Sequence, residues 1–465
     1  MKTTTAWLLH RCVAAILLIA WASLSVQIEL LAGPAGLAPA AELITTLAEN
    51  DVGFWAAPTH LWWSTSDGVL VAGTWLGMAL ALAALFGLAP RRCFALSAPL
   101  YLSYIVAAQT FLSFQWDSLL VEMTLIAALL PDRGGSHPAL WMQRLLLLKV
   151  MLESGIAKWQ SHLGDWQDGS AMVHYYQTAP LPAPGGWYFH HLPASWHALA
   201  GWWTLFFELA VPLLLLLGPV PRRLAAVIFG VFLVLNQATA SYGFFVLQVA
   251  ALLVVCLEDD DIQRAYRALR QRIPRLPRAA PLHAPPLTGL GWWIPAGAMA
   301  AWVTLSTLSG LERFADVSLA PGLTSAARPL RVANTYHLFG HITTERIEPE
   351  FQTLTEGTWS PQHLRYKPGP LDRRPSFVAP HQPRVDFRLW FYGLSYARGT
   401  PGYVQTLVTR LCTDPGAVRA LFATPLPPTP EAVRIVFWRY TYTAPGDADW
   451  WQREQVDMTR AARCR

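Results

Sequence analysis

Charged residues lie inside several segments that are otherwise apolar, and they are the first candidates for chemistry. They occur in the stretches "FQWDSLLVEM", "LLLLKVMLESGIAKW" and "FFELAVP" and are Asp117, Glu122, Lys149, Glu153, Lys158 and Glu208. A charge within an apolar helix is energetically expensive, so each is a candidate for a buried polar site that handles protons or binds a ligand. The alternative is that these groups only hold helices together. Lys149 and Glu153 are four residues apart, which predicts a neutralised pair on one helix face.

A dense polar segment near the other end of the chain is the second candidate. The segment 366–391, "YKPGPLDRRPSFVAPHQPRVDFRLWF", contains five prolines and four arginines. Because proline fixes φ and the guanidinium presents planar donors, such a segment can form a rigid binding face for a protein partner or can dock onto the aromatic loop 159–196. The candidate contact residues are Arg373, Arg374, Arg384, Arg388 and Trp390. The alternative is a buried scaffold in which Arg384 and Asp386 satisfy local backbone groups.

Histidines and aromatic residues gather in and beside the stretch 159–196. The histidines are His162, His174, His190, His191 and His197. Their spacing fits no standard metal-binding pattern, so we expect hydrogen-bonding or interfacial roles and no metal ion. So many large rings favour a structured cap over a floppy loop. The candidate residues of this external cap are His174, Tyr175, His190 and His191.

Motifs of hydrolase and nucleotide chemistry are absent from the sequence. It contains no Gly-x-Ser-x-Gly, no Walker loop and no dinucleotide fingerprint, so we expect neither a hydrolase nor a nucleotide-driven pump, and no cofactor. The formal net charge of +5 comes from basic residues in short loops between apolar segments, which argues against nucleic-acid binding. Cys412 and Cys464 are the cysteines of the polar C-terminal part, and whether they pair cannot be read from the sequence.

The composition divides the chain into two parts that must position these residues. Of the 465 residues, 53% are hydrophobic and 14% are charged, whereas a soluble domain has about 25% charged residues. The shortage of charge is confined to residues 1–310, while residues 311–465 have an ordinary soluble composition. We therefore expect a multi-span membrane region over 1–310 and a globular domain over 311–465.

Apolar runs of about 20 residues predict the membrane spans. The candidates are 12–31, 68–89, 94–114, 116–131, 144–158, 197–218, 223–240, 242–257 and 291–310. The first run could instead be a signal peptide, but it is longer than the roughly 7–15 apolar residues that such a peptide contains.

The distribution of Lys and Arg predicts the orientation, because basic loops stay in the cytoplasm. The loops 32–67 and 159–196 contain no Lys or Arg, whereas the linker 258–290 carries a run of arginines. This pattern places the N-terminus and the basic linker 258–290 in the cytoplasm, and residues 311–465 outside it. The linker is expected to begin with a short amphipathic helix and to continue as a Pro-rich segment.

The C-terminal part combines strand and helix patterns. Alternation and β-branched or aromatic content predict strands at 331–339, 347–357, 363–368 and 432–443. Helical spacing predicts helices at 384–396 and 402–412, and a short helix through Leu421 that Asp414 caps. The predicted fold is a polytopic α-helical membrane protein of about nine spans with an extracytoplasmic C-terminal α+β domain.

Several blocks of the sequence, in one order, resemble the lipase maturation factor family. In the C-terminal part they are "HLFGHITTERIE", "LRYKPGPLDRRPSFVAPHQPRVDFRLWFYGL" and "DWWQRE". In the apolar part they are "PTHLWWSTSDGVL", "FQWDSLLVE", "GIAKW", "HYYQTAPLPAPGGWYFHHLP", "FFELAVPLLLLLG" and "SYGFFVLQVAALLVVCLEDD". The resemblance covers nearly the whole chain, although Tyr176–Gln177–Thr178–Ala179 stands where a Glu-Thr-Gln run is expected in the family.

The resemblance implies a membrane-bound chaperone, without catalysis of its own, that helps exported lipases fold and assemble into active dimers. Its implied partners are the lipid bilayer and an exported, lipase-like client protein. In eukaryotic relatives the family implies the endoplasmic reticulum membrane, with the C-terminal domain in the lumen. The Ala-, Leu-, Pro- and Arg-rich composition and the lack of Asn-x-Ser/Thr sites indicate instead a bacterial inner membrane, with this domain in the periplasm.

An intramembrane enzyme is the alternative function. The apolar part has a weaker likeness to the helical bundle of vitamin K-dependent carboxylase-type proteins, in which a polar site between the helices performs the chemistry. Under this hypothesis Lys149, Lys158 and His174 are candidates for a base or a ligand.

Overall fold

The structure is a computed structural model that describes residues 3–131, 137–273 and 289–464. Its first part is helical. The helices are α1 (Thr3–Ser25), α2 (Ile28–Ala32), α3 (Ala40–Glu49), α4 (Asp67–Phe86), α5 (Pro90–Ala107), α6 (Gln115–Leu129), α7 (His137–Trp159), α8 (Ala171–Thr178), α9 (Pro184–His190), α10 (Ala194–Leu209), α11 (Pro219–Thr239), α12 (Phe245–Leu252), α13 (Asp259–Arg272) and α14 (Leu290–Phe314). They form because runs rich in Leu and Ala favour helix, and because a helix satisfies every backbone group internally in an apolar medium.

Five segments among the described residues are long and apolar enough to cross a membrane. They are Thr4–Ser25, Asp67–Phe86, Ala194–Leu216, Pro219–Thr239 and Leu290–Phe314. The other four predicted spans are also helical, in α5, α6, α7 and α12, but these helices are shorter or less apolar. The structure therefore supports a multi-span helical protein with five candidate spans, and the predicted number of nine stays a prediction.

Helix α13 confirms the helix predicted at the start of the basic linker. Its first turn carries three acidic residues, and Glu258 and Asp261 form a capping box that satisfies N-terminal backbone N–H groups. Arg223 on α11 donates to Asp261 at 2.8 Å, which holds α13 against the helical part. The Pro-rich continuation predicted for the same linker falls on 274–288, outside the described residues.

The C-terminal part is an antiparallel sheet with helices on one side. Its elements are α15 (Pro321–Ala327), β1 (Arg346–Thr355), β2 (Thr358–Gln362), α16 (Arg384–Leu394), α17 (Gly402–Thr413), α18 (Pro415–Val418), β3 (Ala432–Tyr442), β4 (Trp451–Met458) and β5 (Ala462–Arg463). The strand order is β2-β1-β3-β4, and β5 also pairs with β3. A disulfide joins Cys412 at the end of α17 to Cys464 just after β5.

Most of the C-terminal predictions are confirmed, and two strands are wrong. Strands β1 and β3, helices α16 and α17, and the Asp414 cap of α18 lie where the sequence predicts them. Residues 363–368 form no strand, since Leu364 makes only an isolated bridge to Phe422. Residues 331–339 form no strand either, because helix side chains bind several of their backbone groups, as described below. The edge strands β2 and β4 were missed because they are short or polar.

Helix α16 connects the sheet to the helical part. On one side, the Tyr392 ring lies 5.3 Å from the ring of Phe437 in the sheet. On the other side, the Phe387 ring lies 5.0 Å from the rings of both Phe114 and Trp116 beside α6. Buried residues from both parts consequently form one continuous hydrophobic core. This packing brings the polar C-terminal segment and the charged helix residues together.

Candidate functional site

A segment between α15 and β1, here called the junction strap (331–342), packs against the helical part without regular secondary structure. Side chains of the helical part bind its backbone N–H groups. Tyr336 donates to Glu153 Oε2 at 2.7 Å, and Ile342 donates to Asp165 Oδ2 at 2.8 Å. Buried backbone groups need such partners when no ladder supplies them.

Carbonyl groups of the junction strap are also bound by the helical part. Lys158 Nζ donates to Leu338 O at 2.8 Å, and Trp166 Nε1 donates to Phe339 O at 3.1 Å. Both the backbone N–H groups and the backbone C=O groups of the junction strap are therefore hydrogen-bonded to the helical part. This explains why an alternating sequence that predicts a strand adopts no ladder here.

Glu122 is the centre of the most extensive of these networks. Its carboxylate accepts hydrogen bonds from Lys149 Nζ at 3.0 Å, Trp302 Nε1 at 2.7 Å, Tyr336 Oη at 2.6 Å and Asn334 Nδ2 at 2.8 Å. These donors come from α7, α14 and the junction strap. A fully buried carboxylate requires such compensation to remain charged.

The predicted pair of Lys149 with Glu153 is wrong. Lys149 forms its ion pair with Glu122 on α6 and donates to Ser306 Oγ at 2.9 Å, whereas the Glu153 carboxylate accepts the Tyr336 amide. The spacing of four residues does place both on one face of α7. A neighbouring helix and the strap, however, supply closer partners than the helix itself.

The remaining charged candidates of the helices form two further buried ion pairs. Lys158 and Glu208 lie 2.7 Å apart, connecting α7 to α10. Arg384 on α16 donates to both Asp117 oxygens, at 2.6 and 2.8 Å, and Tyr101 donates to the same carboxylate at 2.7 Å. Such bidentate pairing is both strong and geometrically specific.

All six charged candidates are thus brought into buried centres, and each centre includes a group from the C-terminal part. The sequence did not identify the partners Tyr101, Trp302, Asn334 and Tyr336. Nothing in their local pattern distinguishes them from ordinary core or loop residues, because their role depends on contacts between residues far apart in the chain.

Of the five residues predicted for a partner-binding face, three are held by contacts within the protein and two are more accessible. Arg384 is only 1% exposed and belongs to the junction with Asp117, so it is not available at the surface. Trp390 is half-buried and donates to Thr178 O at 2.8 Å. Arg373 is also half-buried and donates to Leu364 O at 2.7 Å, and burial lowers the pKa of its guanidinium.

The other two arginines are more accessible. Arg374 is exposed, with its guanidinium 5.4 Å from the centre of the Trp450 ring. Arg388 is half-buried, 5.2 Å from the centre of the Phe391 ring. The scaffold hypothesis therefore describes Arg373, Arg384 and Trp390, while Arg374 and Arg388 are placed where a partner can reach them.

A groove of about 610 Å³, here called the outer groove, is lined in part by α16. Its lining includes Phe387, Trp390, Phe391 and Leu394 of α16, His337 and His341 of the junction strap, and His162 and Arg313 of the helical part. Phe391 and Leu394 are each 37% exposed. The outer groove therefore combines exposed apolar side chains with polar groups, and both parts of the protein build it.

The external-cap candidates lie on two short helices. His174 and Tyr175 are on α8, where Tyr175 Oη is 2.6 Å from Tyr242 Oη. His190 and His191 are at the end of α9. Burial, with smaller contributions from neighbouring histidines, lowers the pKa of His190 to about 4. Within the described ranges, no group of three or more His, Cys, Asp or Glu side chains is placed to hold a metal ion.

These features define a helical membrane protein whose sheet-containing C-terminal part is held to its helices by the buried Arg384–Asp117 ion pair and by buried hydrogen bonds. Residues 4–264 match the family model described as the lipase maturation factor transmembrane domain, and residues 332–461 match the lipase maturation factor C-terminal domain. The chain belongs to the lipase maturation factor family, which confirms the resemblance identified from its sequence blocks.

Individual relatives match over almost the full chain. Lipase maturation factor 2 of Homo sapiens is 29% identical, over 96% of this chain and 80% of its own length. Lipase maturation factor 1 of Homo sapiens is 26% identical, over 98% of this chain and 88% of its own length. Lipase maturation factor 1 of Bos taurus is also 26% identical. No solved structure matches. These relatives give no support to the alternative of an intramembrane enzyme.

Proposed function

We propose that this protein is a membrane-bound maturation factor that acts as a chaperone for exported proteins and binds a segment of the client in the outer groove. Membership of the lipase maturation factor family supports the maturation role and a lipase-like client. The outer groove is the observation that carries the mode of binding, because it is accessible and contains both apolar and polar groups.

The chemistry of the outer groove suits an incompletely folded chain. Exposed apolar groups such as Phe391 and Leu394 can bury the side chains of a client that has not yet completed its core. Polar groups in the same groove, including His337 and Arg313, can bind the backbone carbonyls that such a client leaves unpaired. In this proposal Arg388, whose guanidinium lies against Phe391, extends the contact, and Arg374 beside Trp450 is a separate accessible contact residue. Arg373, Arg384 and Trp390 support the structure of this surface.

The proposed location follows from the charge pattern. We place the N-terminus in the cytoplasm, the multi-span region 1–310 in a bacterial inner membrane and the domain 311–465 outside the cytoplasm. The absence of Lys and Arg from the loops 32–67 and 159–196 supports this orientation. An exported client then meets the outer groove after it has crossed the membrane.

The test of the outer groove uses two matched exposed residues of the C-terminal part. Phe391→Ser changes the groove, while Phe377→Ser changes a residue that is also exposed but lies outside it. We expect both variants to keep the wild-type Tm within the range of about 0.5 kcal/mol that surface substitutions usually cause.

The readout is the activity of a lipase exported from the same cells. Phe391→Ser should reduce this activity, and Phe377→Ser should not. Full lipase activity with Phe391→Ser and with a second groove variant, Leu394→Asp, would overturn client binding in the outer groove.

A further inference from the structure

A second cavity, of about 320 Å³, lies mainly within the helical part and adjoins the outer groove, because Trp116, Leu338 and Phe339 line both. It is here called the intramembrane cavity. Its lining is predominantly apolar and aromatic and includes Met151, Trp203, Phe207, Val231, Leu235 and Phe245. Both its volume and its apolar lining with a few polar groups are those of small-molecule sites between the helices of a bundle.

The intramembrane cavity is elongated along the helices. On α10 its lining residues extend from Trp196 to Glu208, which is about 18 Å of helix axis. On α11 they extend from Val231 to Thr239. The cavity is therefore a slot that runs along α10 for more than half of the roughly 30 Å hydrocarbon thickness of a bilayer, and along α11 for about 12 Å.

The opening of the cavity lies between α10 and α11. Trp203 on α10 is 47% exposed and Val231 on α11 is 54% exposed, although both line the cavity. Both helices are candidate membrane spans, so side chains exposed on their apolar faces meet lipid. The surrounding medium from which a ligand enters is consequently the bilayer.

Most polar groups of the lining are paired within the protein, whereas Trp116 Nε1 is buried without a hydrogen-bond partner among the described residues. Lys158 and Glu208, the charged residues of the lining, neutralise each other at 2.7 Å. Tyr175 and Tyr242 share a hydrogen bond at 2.6 Å. A peptide in this slot would leave its backbone N–H and C=O groups without partners, which is costly in an apolar medium. A hydrocarbon chain has no such groups and gains from the apolar walls.

We propose that the intramembrane cavity binds one acyl chain, which enters sideways from the bilayer between α10 and α11. The chain belongs either to a membrane phospholipid or to a free fatty acid, since both present the same hydrocarbon to the cavity. This site differs from the outer groove in its occupant and its predominantly apolar lining, although Trp116, Leu338 and Phe339 line both. It requires no client protein, so it stands or falls independently of the proposed chaperone function.

The experiment uses the full chain in nanodiscs with two photoreactive probes, palmitate and phosphatidylcholine that each carry a diazirine on the acyl chain. Crosslinked peptides are mapped by mass spectrometry. We expect labelling of lining residues on α10 and α11, such as Phe207 and Leu235, and competition by unlabelled oleate. Labelling by palmitate alone identifies a free fatty acid as the source, and labelling by both probes identifies the chain of a bilayer lipid.

Two exposed valines of α11 provide the matched variants. Val231→Trp narrows the opening, whereas Val234→Trp adds the same ring at an exposed position outside the lining. We expect Val231→Trp to lower labelling of the lining about tenfold, equivalent to about 1.4 kcal/mol of binding free energy, and Val234→Trp to leave it unchanged. A second variant, Ala200→Phe, fills the cavity from α10 and should have the same effect as Val231→Trp.

The opposite pattern would overturn the proposal. If the probes label the lipid-facing surfaces of α10 and α11 evenly, and neither Val231→Trp nor Ala200→Phe changes the labelling, the lipid contacts only the outside of the helices. Circular dichroism of each variant in the same nanodiscs establishes that a loss of labelling reflects the site and not unfolding.

Discussion

At the scale of single residues, the charges within the helical part are held in pairs and networks that leave none of the six candidates isolated. Glu122 illustrates the principle, since it is fully buried and accepts bonds from Lys149, Trp302, Tyr336 and Asn334. A buried ion pair contributes little net stability compared with apolar packing, but removal of one partner leaves an uncompensated charge. The Glu122 network instead fixes how α6, α7, α14 and the junction strap pack against one another.

The Glu122–Lys149 pair gives the first prediction. Lys149→Met leaves the Glu122 charge without its cation and should destabilise the protein by about 3–5 kcal/mol. The double variant Lys149→Met/Glu122→Gln removes both charges and should be less destabilised than the single variant. Thermal unfolding in detergent measures both values. Arg439→Met is the control: it removes pairs with two exposed carboxylates, Glu454 at 2.9 Å and Glu345 at 3.1 Å, and should change stability by less than about 1 kcal/mol.

Asp386 gives a pH-dependent prediction in the C-terminal part. Burial raises the pKa of its carboxyl to about 6, although the Tyr366 amide donates to it at 3.1 Å. An unfolded chain releases this proton near pH 3.9, so between pH of about 4 and 6 the native state binds more protons than the unfolded state. The free energy of unfolding should therefore fall as pH rises through this window, by up to about 3 kcal/mol.

The measurement for Asp386 is Tm as a function of pH for the wild type and for Asp386→Asn. Asp386→Asn has no titrating carboxyl at this position, so it does not lose stability as the pH rises from about 4 to 6, whereas the wild type does. The Tm of the variant minus the Tm of the wild type should therefore increase over this range. A difference in Tm that stays constant over this range would show that Asp386 is charged in the native state throughout.

At the scale of elements, the predictions succeeded where local pattern decides the structure. Strands β1 and β3 are long and bury alternating or β-branched side chains, and α16 and α17 have clear helical spacing. The junction strap has an equally good strand pattern but no neighbouring strand. Its partners are Glu153, Asp165 and Lys158, which lie more than a hundred residues earlier, and local pattern carries no information about them.

The junction strap is expected to resist amide hydrogen exchange although it is neither helix nor strand. The amides of Tyr336 and Ile342 are buried and donate to carboxylates, so they should exchange more slowly than those of the exposed turn 444–449 in a mass-spectrometric measurement. Asp165→Ala removes one acceptor and should accelerate exchange at Ile342 about tenfold, as expected for loss of a charge-assisted bond. Exchange of the wild-type strap as fast as the turn would contradict these contacts.

At the scale of the whole molecule, the division into an apolar and a polar part was readable from composition, but their contact was not. Asp117 and Arg384 are 267 residues apart in the chain and form a buried bidentate pair. The sequence identified both residues, in two separate hypotheses, because charge in an apolar helix and arginine among prolines are each unusual. Only the packing of α16 against α6 shows that they are one site.

The disulfide between Cys412 and Cys464 connects location to stability and gives the last prediction. Disulfides persist outside the cytoplasm, so the proposed orientation requires this pair to be oxidised in cells. After acid quenching and denaturation, a polyethylene-glycol maleimide should label these cysteines only after reduction, whereas the free Cys12 is labelled without it. Cys412→Ser/Cys464→Ser should lower the free energy of unfolding by about 4 kcal/mol, given the closed loop between them. Full labelling of Cys412 and Cys464 without reductant would place the C-terminal part in the cytoplasm and overturn the orientation.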